Sequence, residues 1–209
     1  MPPLPPLPPS LSPSSNVLRT SLALTSTSLS VTIDSPSLSA LALDIHKKTV
    51  DGTVLWDEGG WHYTSETSQE NTALYVLTLD ALNFCFWPSD GGKLQYDHLA
   101  KALKSLAVSS ETSQNPAGDP SGFAFSPSRL AALTPSTLSS LLSPHLPSPL
   151  PNLPERTRLL NELGDGLLEF YGGSAVRMIE AAGGSADRLT FLMARTFSGF
   201  RDTAVAADG

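Results

Sequence analysis

Apolar residues in the C-terminal part of the chain recur at the three- and four-residue spacing of α-helices. The longest such stretch opens at Pro154, carries leucines on one face and is closed by Gly172-Gly173. Ser174 and Ser185 each precede a further amphipathic stretch, and serine is a preferred residue at a helix N-cap. The pattern therefore predicts three consecutive helices near the C-terminus.

The middle of the chain carries a second group of predicted helices. Residues 96–108 alternate apolar positions with lysines at helical spacing, which predicts an amphipathic helix. The pairs Ser126-Pro127 and Thr134-Pro135 are typical of an N-cap followed by a first helical turn, so they predict two short helices. Another helix is expected after Pro36, with three apolar residues on one face: Leu38, Leu41 and Ile45.

The densest apolar run, residues 71–87, leaves two interpretations open. Its β-branched and aromatic residues favour a strand, whereas its length and the following Pro88 favour a buried helix that ends at the proline. A helix would place one carboxylate, Asp80, on an otherwise apolar stripe. The other members of that stripe would be Ala73, Val76, Leu77, Phe84 and Trp87.

Asp80 is the most informative polar residue of this run. An uncompensated carboxylate on a buried helix face costs several kcal/mol, so Asp80 is expected to be paired, protonated or open to a cavity. A structural ion pair and a ligand-facing role both meet that requirement. We favour the ligand because Asn83, Phe84 and Trp87 stand nearby. Carboxylate, amide and aromatic rings together suit a cationic or polar heterocycle.

A short Gly-containing loop before this run carries four large rings: Trp56, Trp61, His62 and Tyr63. Such crowding is costly unless the rings line or cover something. A satellite hydrophobic cluster and the wall of a ligand site explain it equally well.

Proline and serine mark the segments that are not expected to pack. Seven of the 18 prolines lie in residues 1–13, so residues 1–15 are predicted to form a disordered proline-rich arm. An inserted loop is expected at about 109–126 and an extended connector at about 143–154, both rich in Ser and Pro. The remainder, 16–209, is predicted to be a mainly α-helical domain.

Composition limits the partners and the compartment. Lys plus Arg number 13 and Asp plus Glu number 20, and the net charge of −7 argues against direct binding to nucleic acid or to an anionic membrane. No apolar run reaches the length of a spanning helix. Cys85 is the single cysteine, which excludes an internal disulfide and favours the cytoplasm. Residues 1–33 contain no acid and one base, Arg19, a composition shared with organelle transit peptides, so organelle targeting stays an alternative.

The sequence lacks the signature motifs of several common enzyme families. Dinucleotide-binding, nucleophile-elbow and calcium-loop patterns are absent, as is any Cys or His pair at zinc spacing, so no metal site is predicted. The last three predicted helices leave one side without an apolar element to cover it. A partner such as a second copy, or further chain, is expected to supply that cover.

Residues Leu79–Trp87, with the sequence LDALNFCFW, resemble the queuosine salvage proteins, the queuosine 5′-phosphate N-glycosylase/hydrolase family. Three later segments agree in order: Pro154–Glu162, Phe170–Ser174 and the triplet Phe200-Arg201-Asp202. The resemblance runs from about Asn16 to Asp202.

The resemblance implies an all-helical fold similar to helix-hairpin-helix DNA glycosylases. It implies hydrolysis of the N-glycosidic bond of queuosine 5′-phosphate, which frees queuine for reuse in tRNA, without a metal or redox cofactor. Queuine combines a cationic secondary amine and a cyclopentenediol with a flat heterocycle. Carried over by residue, the implied pocket consists of His62, Asp80, Asn83, Phe84 and Trp87. Arg201 and Asp202 would be structural or lie near the phosphate.

The catalytic residues have no counterpart in this chain. The family pattern places its principal catalytic aspartates C-terminal to the Arg201-Asp202 pair, so no residue here inherits that role. The chain is therefore expected to represent the N-terminal part of a family member, with activity on its own in doubt. The rival hypothesis is a non-catalytic helical binding or scaffold protein whose proline arm is the interaction element.

Overall fold

A computed structural model describes residues 13–30, 32–52, 57, 59–112 and 122–201. Nine α-helices lie within these ranges, and no strand occurs there. The helices are α1 Pro13–Thr27, α2 Ser35–Val50, α3 Gln69–Leu82, α4 Tyr96–Thr112, α5 Pro127–Ala131, α6 Pro135–Leu142, α7 Leu153–Tyr171, α8 Ala175–Ala181 and α9 Ala186–Thr196. Short 3-10 turns follow α6 at Ser143–His145 and α9 at Ser198–Phe200. The predicted mainly α-helical class is confirmed.

The described residues divide into two units, one from Pro13 to Gly60 and one from Trp61 to Arg201. The first unit contains α1 and α2, and none of the described side chains of α2 is buried. The apolar residues of α2 are instead largely exposed to solvent, and Leu43 and Val50 each have an exposed fraction of 69%. Helix α2 carries the predicted stripe of Leu38, Leu41 and Ile45.

Helix α7 is the centre of the second unit. It packs against α3, α5, α6 and α8, and its leucines Leu160, Leu163 and Leu167 are fully buried. Burial of each such side chain contributes roughly 1.5–3 kcal/mol, so α7 organises most of the core. The helix begins close to the predicted Pro154. It ends at the predicted Gly172, which adopts the left-handed conformation with φ of 62°.

Helices α5 and α7 approach each other closely. A Cβ atom at Gly164 would lie 2.5 Å from both the amide nitrogen of Ala131 and the carbonyl oxygen of Pro127. Asn161 completes the contact, because its Nδ2 donates hydrogen bonds to carbonyls near the end of α5 at 2.8–3.1 Å: Leu130, Ala131 and Leu133. A glycine and an amide thus fix a five-residue helix that could not persist alone.

The structure moves several predicted boundaries. Helix α3 shows that the helix interpretation of residues 71–87 is right, but the helix ends at Leu82 rather than at Pro88. Helix α4 extends to Thr112, into the predicted inserted loop, of which residues 113–121 lie outside the described residues. Helix α1 begins at Pro13, within the predicted arm, whose residues 1–12 also lie outside them.

None of the helices in the described ranges combines the length and the apolar character needed to cross a bilayer.

Candidate functional site

Asp80 lies in the last turn of α3, beside a groove of about 620 Å³. The α3 wall of this groove includes Val76 and Leu77, and the opposite wall is formed by α8 and α9. The opposite wall contributes mostly apolar residues, among them Val176, Ile179, Leu189 and Met193. The arrangement is an apolar groove with a carboxylate at its edge.

Burial raises the pKa of Asp80 above its ordinary value of 3.8, while the nearby charge of His62 lowers it. The residue is exposed at the edge of the groove, so the apolar surroundings desolvate the carboxylate without enclosing it. Among the described residues, no hydrogen bond or salt bridge engages this carboxylate, so the structural ion pair considered from the sequence does not form there. A charge held in this way is suited to a cationic group that enters the groove.

His62 is held by a neighbour on α4. Its Nε2 lies 2.8 Å from the hydroxyl oxygen of Tyr96, and the two rings are 5.9 Å apart between centroids. The histidine is half-buried and acts electrostatically on Asp80. The structure therefore places His62 within electrostatic reach of Asp80, 18 positions away in the sequence, although His62 is not one of the residues that line the groove.

The other rings of the predicted cluster take different roles. Tyr63 is buried and stacks on Phe123 with ring centroids 5.9 Å apart, as expected for a hydrophobic cluster. Trp61 is half-buried and lies 5.5 Å below the ammonium group of Lys101. Trp56 lies outside the described residues.

Asn83, Phe84 and Trp87 do not continue the apolar stripe of α3. Asn83 is the C-cap, and the chain beyond it is non-helical, with Cys85 at a positive φ of 49°. Trp87 is 80% exposed. The predicted common helical face for these residues is wrong, because the helix ends before Phe84.

Arg156 of α7 explains this early end of the helix. Its guanidinium is fully buried and donates hydrogen bonds to the carbonyl oxygens of Leu82, Phe84 and Cys85, and its Nε donates to Pro151 at 2.7 Å. The same guanidinium stacks over the Phe84 ring, 4.2 Å from the centroid. Burial lowers the pKa of Arg156 to about 10, so it stays charged at neutral pH. In a longer helix these carbonyl oxygens would accept hydrogen bonds from backbone N–H groups of the next turn. Here they accept hydrogen bonds from the buried guanidinium instead.

The remaining predicted residues lie at the C-terminal end of the described chain. Arg201 is exposed and donates a hydrogen bond of 3.3 Å to the carbonyl of Arg195, and it is not part of the groove wall. Asp202 lies outside the described residues.

Sequence reasoning missed the α8 and α9 wall of the groove. The signal was present, because both helices were predicted and Val176 and Ile179 have helical spacing. These residues lie about 100 positions after Asp80 in the sequence, so helical spacing alone could not show that they face the same groove. Glu70 joins the two walls, since its carboxylate accepts hydrogen bonds from Ser174, Ala175 and Val176 at 2.6–3.1 Å.

The described residues contain no cluster of three or more His, Cys, Asp or Glu that could hold a metal ion.

A family model described as queuosine salvage protein matches residues 61–209, which include the whole groove. Among curated relatives, a queuosine 5′-phosphate N-glycosylase/hydrolase of Dictyostelium discoideum is 35% identical over 158 residues, covering 72% of this chain and 44% of the relative. The protein of the same name from Sphaerobacter thermophilus is 34% identical over 65% of this chain and 41% of its own length. That of Bos taurus is 32% identical over 68% of this chain and 43% of its own. The match thus spans less than half the length of these relatives.

Proposed function

This chain belongs to the queuosine salvage protein family, and on that premise we propose that its Asp80 groove binds queuosine 5′-phosphate through the queuine base. The proposed reaction is hydrolysis of the N-glycosidic bond, the activity for which the relatives are named. The observation that carries the proposal is the Asp80 carboxylate at the edge of an apolar groove, within the residues that the family model matches.

The chemistry of queuine suits these residues. Its cationic secondary amine would pair with the Asp80 carboxylate, and its flat heterocycle would lie along the apolar wall that includes Val76 and Met193. Asn83, exposed at the end of α3, offers an amide for the cyclopentenediol. Phe84 and Trp87 follow in the same segment, where the exposed Trp87 ring is available for stacking.

The reaction needs more than the binding residues. Water adds to the anomeric carbon of the ribose, the bond from that carbon to the base nitrogen breaks, and the base leaves with a proton. Ribose gains positive charge on the way, and a carboxylate can stabilise it. In this proposal Asp80 and His62 bind and orient the base. The carboxylates that act on the ribose belong to the part of the family pattern that follows Arg201-Asp202. Arg201 or Asp202 would itself lie near the phosphate.

We expect Asp80→Asn to weaken queuine binding by about tenfold to a hundredfold, because a charge-assisted hydrogen bond contributes roughly 1.5–3 kcal/mol. Isothermal titration of the 209-residue chain with queuine and with queuosine 5′-phosphate measures the effect. Asp165→Asn is the matched control, since Asp165 is exposed on α7 and lies outside the groove. Chromatography of the same mixtures for free queuine then separates binding from hydrolysis.

Each outcome of the titration has a distinct meaning. Release of queuine by the chain would establish glycosidase activity without the remaining length of the relatives. Binding without release would assign the chain the recognition part of the reaction. A folded chain that binds neither compound would refute the proposal and leave the helical scaffold protein as the better hypothesis.

The raised pKa of Asp80 predicts a pH-dependent stability difference that needs no ligand. The folded state binds the Asp80 proton more tightly than the unfolded state does, so stability from this group falls as pH rises from 3.8 through the raised pKa. Asp80→Asn is therefore expected to melt at a higher temperature than the parent at pH 7 and at the same temperature at pH 3. Equal differences at both pH values in thermal melts would contradict the pKa shift.

The other expectations from the sequence belong to the same proposal. A fold similar to helix-hairpin-helix DNA glycosylases, a cytoplasmic location and a second copy as partner are proposed with it. The net charge of −7 supports a small-molecule substrate without direct contact to nucleic acid. Exposed apolar residues on the second unit, such as Leu168 at 44% and Val108 at 43%, support a partner surface.

A further inference from the structure

The Asp80 groove contains a second carboxylate, that of Glu180 on α8. Asp80 lies on the α3 wall and Glu180 on the opposite wall, so each wall contributes one acidic group. Glu180 is exposed, and within the described ranges neither a hydrogen bond nor a salt bridge engages its carboxylate. Both carboxylates are therefore accessible to a ligand that enters the groove.

The groove has no basic residue to balance these two charges. Arg177 of α8 is not part of the lining, because its guanidinium lies at the turn before α8, where a Cβ atom at Gly172 would be 2.7 Å from Nη1. His62, which acts on Asp80, also lies outside the lining. Apart from the two acids and the apolar residues, the described lining consists of neutral polar side chains: Thr64, Ser65, Gln69 and Thr72. A ligand in the groove thus meets a negative potential.

The contacts of Glu70 show where the two carboxylates lie along the groove. Glu70 joins the first turns of α3 and α8, since it accepts hydrogen bonds from the N–H groups of Ala175 and Val176. From this junction Asp80 lies about 15 Å along α3, and Glu180 lies about 7.5 Å along α8, at the helical rise per residue. The acidic groups are spread along the groove, so an amine that contacts Asp80 directly is attracted by Glu180 through space.

Two spread charges of one sign select a ligand by its own sign. The walls between them are apolar, with Val76 on one side and Ile179 and Met193 on the other, and they accept a flat ring. A positive group on that ring is attracted by both carboxylates, whereas a negative group is repelled by both and finds no basic partner in the lining. The 5′-phosphate of the proposed substrate would therefore lie outside the groove.

We propose that Glu180 is a specificity-determining residue of the groove, which acts with Asp80 to favour cationic bases over neutral and anionic ones. This inference rests on the proposed function, because it takes the queuine base as the ligand. It adds an orientation of the substrate, in which the base lies between the two carboxylates and the phosphate stays beyond the groove walls.

Three bases that share the 7-deazaguanine ring of queuine test the inference. At pH 7 the 7-aminomethyl derivative is a cation, the 7-methyl derivative is neutral and the 7-carboxy derivative is an anion. Isothermal titration of the full chain gives the three dissociation constants. We expect the cation to bind at least about tenfold more tightly than the neutral base, as one charge-assisted hydrogen bond would give. We expect the anion to bind about threefold to tenfold more weakly than the neutral base.

Glu180→Gln keeps the size of the side chain and removes its charge. We expect this variant to lower the cation-to-anion affinity ratio by about threefold to tenfold and to change the affinity for the neutral base by less than about twofold. A purely structural role of Glu180 would change all three affinities together. In the parent chain 1 M salt, with a Debye length of about 3 Å, is expected to lower the same ratio. Glu169→Gln is the matched control, since Glu169 is exposed on α7 and lies outside the groove.

The outcomes separate this inference from the proposed function. Equal affinity for the cation and the anion in a chain that binds queuine would overturn the inference alone. An unchanged ratio in Glu180→Gln, or the same fall of the ratio in Glu169→Gln, would do so too, as would binding of queuine without binding of the 7-aminomethyl base. A folded chain that binds neither queuine nor any of the three bases would refute the proposed function together with the inference.

Discussion

Substitution of Arg156 by methionine is expected to lower the free energy of unfolding by about 3–5 kcal/mol. The loss comes from carbonyl groups rather than from an ion pair, because the guanidinium donates to Leu82, Phe84, Cys85 and Pro151 and has no carboxylate partner in the described ranges. Methionine fills much of the volume but leaves those buried oxygens without donors. Urea denaturation followed by circular dichroism measures the change.

Arg158→Met is the matched control for this substitution. Arg158 lies two positions further along α7, is about half exposed and forms a surface pair with Glu155 at 2.7 Å. Exposed pairs of this kind contribute roughly 0–1 kcal/mol. Arg156→Lys is expected to lose an intermediate amount, since an ammonium group supplies a charge without the planar fork that reaches several carbonyls. If Arg156→Met and Arg158→Met unfolded at the same urea concentration, the carbonyl contacts would not be the stabilising feature.

Substitution of Glu70 by alanine is expected to lower the free energy of unfolding by about 2–3 kcal/mol. The carboxylate accepts hydrogen bonds from the Ser174 hydroxyl and from the backbone N–H groups of Ala175 and Val176, the first residues of α8. Those donors would then be left without a partner in a half-buried position. Because α8 forms one wall of the Asp80 groove, the same variant is expected to bind queuine more weakly.

Glu66→Ala controls for the loss of a negative charge in the same region. Glu66 is exposed in the loop before α3. Its removal is expected to change stability by less than about 0.5 kcal/mol, as for most surface substitutions. Comparable losses for the two variants in urea denaturation would point to charge and not to the cap of α8.

The helices could be predicted from the sequence because their ends carry strong local signals. Ser174 and Ser185 each accept a hydrogen bond from the backbone N–H three residues later, as the serine N-cap pattern predicts. The Gly172-Gly173 pair ends α7, with both residues at positive φ. Such signals depend on neighbours within four residues, so they survive without knowledge of the tertiary structure.

The end of α3 and the second wall of the groove could not be predicted, because distant residues determine them. Nothing between Leu82 and Pro88 stops a helix by propensity alone, and the apolar pattern continues through Phe84 to Trp87. Arg156, more than 70 positions away, supplies the competing hydrogen bonds. The carboxylate at the edge of the groove could thus be picked out from the sequence, but the surface that faces it could not.

The contacts of Glu70 and Arg156 also constrain synthesis of the chain on the ribosome. The hydrogen-bond partners of Glu70 lie up to 106 positions later in the chain. The arginine that binds the carbonyls at and just after the end of α3 lies 71–74 positions after them. During that interval α3, with seven buried residues in the finished structure, has left the ribosome without most of the helices that cover it. The nascent chain therefore exposes the apolar side chains of α3 until α7 and α8 emerge, and during this interval a chaperone that holds apolar segments can bind them.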